Sequence, residues 1–278
     1  MPPDNSVERN LSIASALLLA LLGLGYVYVG RLRVALMFVV AGFALVAAFS
    51  WTRLILDVHA TYVLVAMLIT FALTQIIHPV VIAAREKRAA TRPYNRWWFY
   101  ALWLVMAALL WNLLTTSRGA IFGYGTFWIP AESMAPTLEQ GDVIMMDAWR
   151  YRRSDPEAGE VVVFRLGTGT DYVKRVVGVP GDLLEIRDGV LYRNQQPVAE
   201  PYLHPLGHHL FGRDVPALRL GESEYYVLGD YRDNSRDSRS FGPIHRDRIR
   251  GRIEYIAFAY WDGALQWHRF PRYLEHGT

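Results

Sequence analysis

Tyr172-Val173-Lys174-Arg175-Val176-Val177-Gly178, closed by Val179-Pro180-Gly181-Asp182, is the stretch on which the reading of the second half of the chain turns. Valines alternate with longer side chains and Pro-Gly ends the run, which is the pattern of a strand stopped by a turn. With a period of two, Tyr172, Lys174 and Val176 share one face, and Val173, Arg175 and Val177 share the other. Similar β-branched or alternating runs recur on either side: Ile121–Ile129, Asp142–Trp149, Glu160–Leu166, Leu183–Ile186, Val190–Arg193, Glu224–Leu228 and Arg252–Tyr260. Asp188-Gly189 is a tight-turn signal. No long helical period interrupts these runs, so the expectation is an all-β, antiparallel, barrel-like domain.

The first half reads differently. The chain has 278 residues, 52% hydrophobic and 20% charged. Its apolar residues concentrate between 11 and 115, while acids, prolines and glycines concentrate after 117. A bilayer crossing needs about 20 apolar residues, and four segments approach that length: Leu11–Val29, Val34–Ser50, Ala60–Ile77 and Trp98–Leu114. Gly23, Gly25 and Gly30 suggest that the first two form a close helical hairpin, because small residues let backbones approach. Two domains are therefore expected: residues 1–116 as a membrane domain and 117–278 as a β-rich domain.

Charge sets the orientation. Arg85, Lys87, Arg88, Arg92 and Arg96 surround one acid, Glu86, so this loop belongs on the cytoplasmic side. Counting four spans puts the Arg31–Arg33 turn on that side too. It puts the N-terminus and everything after Thr116 outside. Phe122, Tyr124, Phe127 and Trp128 then stand where an aromatic belt would rest on lipid. A formal charge of +3 does not by itself argue for nucleic acid, and the absence of cysteine excludes disulfides, thiolate metal sites and a Cys nucleophile. His204, His208 and His209 lie close together in sequence, but a Pro/Gly-rich context with little carboxylate support favours a surface loop over a metal site. Arg246, Arg248, Arg250 and Arg252 read as one solvated strand face. His59, Gln75 and His78 in the third segment read as packing within the bundle.

Ser133 sits in a Pro-flanked turn between two strands. Lys174 stands on a strand face whose burial would depress its pKa and free its lone pair, and a serine hydroxyl needs such a base to become a nucleophile. Taken singly, both residues are everyday features of turns and strands.

Three islands taken together carry more. Ser133-Met134-Ala135-Pro136-Thr137-Leu138 is followed by Lys174-Arg175 with Gly178-Val179-Pro180-Gly181-Asp182. These are followed by Gly229-Asp230 through Asp233-Asn234-Ser235-Arg236-Asp237-Ser238-Arg239. Gly141-Asp142 falls between the first two. In type and order these boxes resemble the type I signal peptidases, the Ser/Lys peptidase family with a fold shared with LexA-type repressors. The resemblance covers about 129–252.

It implies a membrane-bound serine endopeptidase that removes N-terminal signal peptides from exported preproteins, with Ser133 as nucleophile and Lys174 as general base. Ser235 would orient the Lys174 amine, Asp237 and Arg239 would brace the last box, and Met134 would line the substrate groove. The implied substrates carry small residues at −1 and −3 and bind as an extended strand. The implied location is the cytoplasmic membrane, multi-pass, with the catalytic domain on the outer, periplasmic side. The implied partners are preprotein and lipid bilayer, with no cofactor, metal or nucleic acid. A narrower processing peptidase and a weakly active signal-peptide-binding scaffold are the alternatives. One position departs from the family pattern: two residues before the nucleophile, where a Ser or Thr commonly supplies an oxyanion donor, this chain has Ala131.

Overall fold

The structure is a computed structural model that describes residues 8–21, 23–90, 92–167, 169–203 and 214–274. The chain divides into two compact units, Met1–Phe122 and Gly123–Thr278.

In the first unit, a short strand β1 (Glu8–Asn10) precedes α1 (Ile13–Leu21) and α2 (Gly25–Tyr28). Three long helices follow: α3 (Leu32–Trp51), α4 (Val58–Glu86) and α5 (Trp97–Phe122), with strand β2 (Arg88–Ala90) between the last two. Each long helix is apolar and long enough to cross a bilayer. Asp57 opens α4 by accepting the Ala60 N–H at 2.8 Å, which satisfies one of the donors a helix start leaves unpaired. α5 continues past Thr116 to Phe122, so Ile121 and Phe122, expected to open a strand, close a helix instead.

The first expected span, Leu11–Val29, is not one helix. Gly23 takes φ +75°, a left-handed conformation that ends a right-handed helix, and the chain turns there from α1 into α2. Both ends of this hairpin are tied to one place. The Leu11 N–H donates to Lys87 O, and Arg31 pairs with Glu86. Tyr94 donates to Gly30 O at 2.6 Å, and Asn95 donates to Val27 O at 2.8 Å. β1 pairs antiparallel with β2, Asn10 opposite Arg88. Glu8–Asn10 therefore lies at the end of these helices that carries the basic loop, whereas four spans would set the chain before the first span at the other end. The periodicity of 11–29 could not reveal this, since a re-entrant hairpin and a span are equally apolar. His78 accepts or donates a 2.8 Å hydrogen bond with the buried Tyr26 hydroxyl, a contact within the bundle.

The second unit is built on antiparallel strands: β3 (Tyr124–Trp128), β4 (Asp142–Asp147), β5 (Val161–Arg165), β6 (Asp171–Gly178), β7 (Leu183–Arg187), β8 (Val190–Arg193) and β9 (Gln196–Pro197). They continue as β10 (Val215–Arg219), β11 (Glu224–Leu228), β12 (Ile244–His245), β13 (Ile249–Trp261), β14 (Ala264–Leu265) and β15 (Arg272–Tyr273). The main sheet, a half-barrel, has the order β12-β11-β6-β5-β13-β4-β3, with β14 and β15 added to β13; β10-β7-β8-β9 form a second, smaller sheet. β13 is long enough to pair with both β4 and β5, and register shifts at Ile249/Gly251, Ile253/Tyr255 and Ile256/Phe258 bend it between them.

Three apolar clusters fill this unit. One packs Met134 and Leu138 from the β3–β4 loop with Ile144, Met146, Val161, Val163, Ile253 and Ile256. The second gathers Val162, Phe164, Val176, Tyr225 and Val227, and the third lies beneath the smaller sheet. The arginines read as one strand face lie at the surface or half-buried, and three of the four are ion-paired. Arg246 pairs with Asp155, Arg250 with Asp171, and Arg252 with Glu160 and Glu254, leaving the exposed Arg248 without an ion-pair partner among the described residues. His204, His208 and His209 lie outside the described residues.

Candidate active site

Two open backbone edges face a common groove. β6 pairs with β5 over Asp171–Arg175, but on its other side β11 reaches only as far as Leu228, opposite Arg175. Among the described residues, no strand covers Asp171–Lys174 on that side. β3 is the last strand of the sheet and, among the described residues, pairs with β4 alone. A groove of about 380 Å³ is lined by Phe127–Ala131 on one wall and Thr170–Lys174 on the other, with Ser133, Met134, Asn234 and Arg236.

The β3–β4 loop presents Ser133 there. Its base is closed by Ile129 N–H to Asp142 O at 2.8 Å and Gly141 N–H to Ile129 O at 2.9 Å. Met134 and Leu138 anchor it in the core, each almost fully buried, so the serine immediately before Met134 has little freedom. Met134 thus contributes to the groove and to the core at once. Lys174 Nζ donates to Ser133 Oγ at 2.7 Å and to Val173 O at 2.8 Å. Its side chain is only 4% exposed. Burial pushes the amine down from the usual lysine range to about 8, against a smaller upward pull from the charges of Asp237 and Asp230.

The last box stands behind this pair. The Tyr231 N–H donates to Ser133 O at 3.2 Å, tying the box to the nucleophile loop. Asp237 is fully buried and holds Arg239 through two hydrogen bonds of 2.9 Å, while the Gly229 N–H donates to it at 3.0 Å. Burial would raise the Asp237 carboxyl, but Arg239 and the Gly229 N–H outweigh it and keep the group ionised. Ser235 Oγ is buried against Gly229 and is not hydrogen-bonded to the Lys174 amine. The amine's second acceptor is instead the Val173 carbonyl of its own strand.

A buried ionic network, which sequence reasoning missed, fixes these parts. Arg175 lies beside Lys174 on the opposite face of β6 and holds Asp230 through bonds of 2.9 and 2.7 Å, both side chains 1% exposed. Asp230 accepts from Thr137 Oγ1 at 2.5 Å, and Arg175 also reaches Thr137 and Gly159 O. The Tyr202 ring covers the guanidinium at 3.9 Å. Removing one partner of such a pair leaves an uncompensated buried charge, at a cost of about 3–5 kcal/mol. The alternation of β6 held the signal: an arginine on the face opposite Lys174, between Val173 and Val177, needs a buried anion. Ala131 is exposed on the groove wall and has no hydroxyl to offer.

Ser133 and the buried Lys174 thus meet beside the open edges of an antiparallel half-barrel. Residues 97–258 match the family model described as signal peptidase, peptidase S26, and the chain belongs to this family. It is similar to signal peptidase IB of Staphylococcus aureus, 37% identical over 158 residues that cover 52% of this chain and 81% of the relative. It also resembles a probable signal peptidase I-1 of Synechocystis, at 34% identity over 141 residues, covering 47% of this chain and 69% of that one. A crystal structure of a signal peptidase I from Enterococcus faecalis is 29% identical, with a TM-score of 0.33 over 36% of this chain and 97% of that one.

Proposed function

We propose that Ser133 and Lys174 form the catalytic dyad of this chain. As a signal peptidase the chain is a serine endopeptidase that removes signal peptides from exported preproteins. The observation that carries the dyad is the 2.7 Å contact between Lys174 Nζ and Ser133 Oγ inside a buried pocket. The neutral amine takes the Ser133 proton as Oγ attacks the scissile carbonyl. The resulting ammonium returns that proton to the leaving amine, and the amine then activates the water that releases the acyl group. Asp237 and Arg239 brace the last box. Ser235 packs against Gly229 and helps hold the Asp237 carboxyl in its ionised form.

The substrate segment enters as a strand between the β3 extension and the open edge of β6, hydrogen-bonding through its main chain. Alternate side chains then point into a groove narrowed by Met134, Ile129 and Tyr172, which favours small residues at −1 and −3.

Three spans rather than four carry the chain across the bilayer. Starting from the basic loop side at Arg31, α3, α4 and α5 deliver the chain after Phe122 to the outer face, the side on which signal peptides are removed. The lipid partner is met by an apolar face of the sheet. Trp128 and Phe258 both stand opposite Val143, Tyr260 follows on the same face, and Leu265 stands opposite Tyr260. All four are exposed, and Trp128 also borders the groove. Phe122 is buried and Phe127 packs on the core, so of the aromatic belt read from sequence Trp128 is the strongly exposed member.

Incubating the full chain in detergent with a preprotein tests the dyad. Ser133→Ala and Lys174→Ala are each expected to abolish cleavage while the protein stays folded, because the two groups act as a unit. Normal turnover by either variant overturns the assignment.

A further inference from the structure

Besides Lys174, two charged side chains line the groove, Asp171 and Arg236, and they are not equivalent. Asp171 is already engaged: Arg165 holds it through two bonds of 2.9 Å, and Arg250 reaches it at 2.8 Å. Arg236 is exposed on the groove wall and makes no ion pair or hydrogen bond among the described residues. Its backbone is well fixed. It lies between Ser235, packed against Gly229, and the buried Asp237, in the box that Tyr231 ties to Ser133. With Asp171 compensated by two guanidinium groups, Arg236 is the charge that, apart from Lys174, lines the groove without an ion-pair partner among the described residues.

Arg236 belongs to the last box, which Tyr231 ties to Ser133, so it borders the groove on the side of the nucleophile. With the substrate strand proposed above lying between Phe127–Ala131 and Asp171–Val173, the residues just beyond the scissile bond are the ones within its reach. Resting on the Ser/Lys reading above, we propose that Arg236 is a specificity-determining residue that favours preproteins with Asp or Glu at +1 or +2, the first residues of the mature protein. The pair forms at a solvent-exposed rim, so the preference is modest and screened by salt.

The test measures kcat/KM for one preprotein carrying Glu, Gln or Lys in turn at −2, +1 and +2, and compares Glu with Lys within each enzyme variant. That ratio cancels any change in overall activity. In the wild type we expect Glu to exceed Lys by roughly three- to tenfold at +1 or +2 at low salt, converging at high ionic strength. Arg236→Gln should bring the ratio close to one and Arg236→Glu should invert it. Arg248→Glu makes the same change of net charge away from the groove and should leave the ratio as in the wild type. An unchanged ratio in both Arg236 variants, or a preference that moves only at −2, overturns the proposal. Should Arg236→Glu fail to fold, Arg236→Gln decides alone. The dyad fails separately, by cleavage that survives Ser133→Ala.

Discussion

Lys174 Nζ lies 2.7 Å from Ser133 Oγ, and the amine that makes this contact is almost wholly buried, with a pKa brought down to about 8. Cleavage by the free enzyme should therefore rise with pH through an apparent pKa near that value and level off above it, because only the neutral amine can accept the serine proton. A pH series of kcat/KM on a single preprotein measures this. Lys174→Arg should be inactive throughout, since a guanidinium does not deprotonate in the working range. A profile that climbs only toward the pKa of free lysine would contradict the buried base.

The same burial predicts a stability trade. The folded-state pKa of Lys174 is depressed, so the unfolded chain binds the proton more tightly. The penalty is fully present below about 8 and fades as pH rises toward the free value of 10.5. Lys174→Met should be inactive yet more stable at pH 7, by up to about 3 kcal/mol. The gain should shrink as denaturant titrations are repeated toward pH 10. A destabilised Lys174→Met at pH 7 would show that the amine is held by more than its two hydrogen bonds.

Gly229 is expected to be intolerant of any side chain. A Cβ there would lie 2.2 Å from Ser235 Oγ and 2.5 Å from Ser133 O, so Gly229→Ala must push the nucleophile loop away from the last box. A displacement of about 1 Å at a reacting group costs on the order of 10²-fold in rate. We expect a loss in kcat of that order with little change in KM. Gly167→Ala, with nothing within 4 Å of its Cβ, should behave as the wild type.

For the first unit, the pairing of β1 with β2 puts Glu8–Asn10 beside the basic loop, so Ser6 is expected on the same side of the membrane as that loop. The chain contains no cysteine, so single introduced thiols report sidedness directly. In intact cells an impermeant maleimide should label Gly167→Cys and spare both Ser6→Cys and Lys87→Cys. Labelling of Ser6→Cys from outside would restore a fourth span.

Much of this protein is local and therefore legible in its residues. The alternation of Tyr172–Gly178 places Lys174 and Arg175 on opposite faces of one strand, and the three boxes around Ser133, Lys174 and Ser235 imply the family and its chemistry. Apolar length in α3, α4 and α5 is likewise a property of sequence alone. What tertiary structure decided depends on contacts between residues far apart. Leu11–Val29 is as apolar as a span, and only its hydrogen bonds to Lys87 and Asn95 make it a hairpin. Ser235 carries the motif of an orienting hydroxyl, but packing turns it toward Gly229 and leaves the lysine to its own strand's carbonyl. Arg175 and Asp230, 55 residues apart, meet because β6 and β11 pair, and that pairing ends at Leu228, which leaves the edge beside Lys174 open for a substrate strand. Side-chain periodicity fixes which face a residue takes; only the closing of the sheet fixes what that face meets.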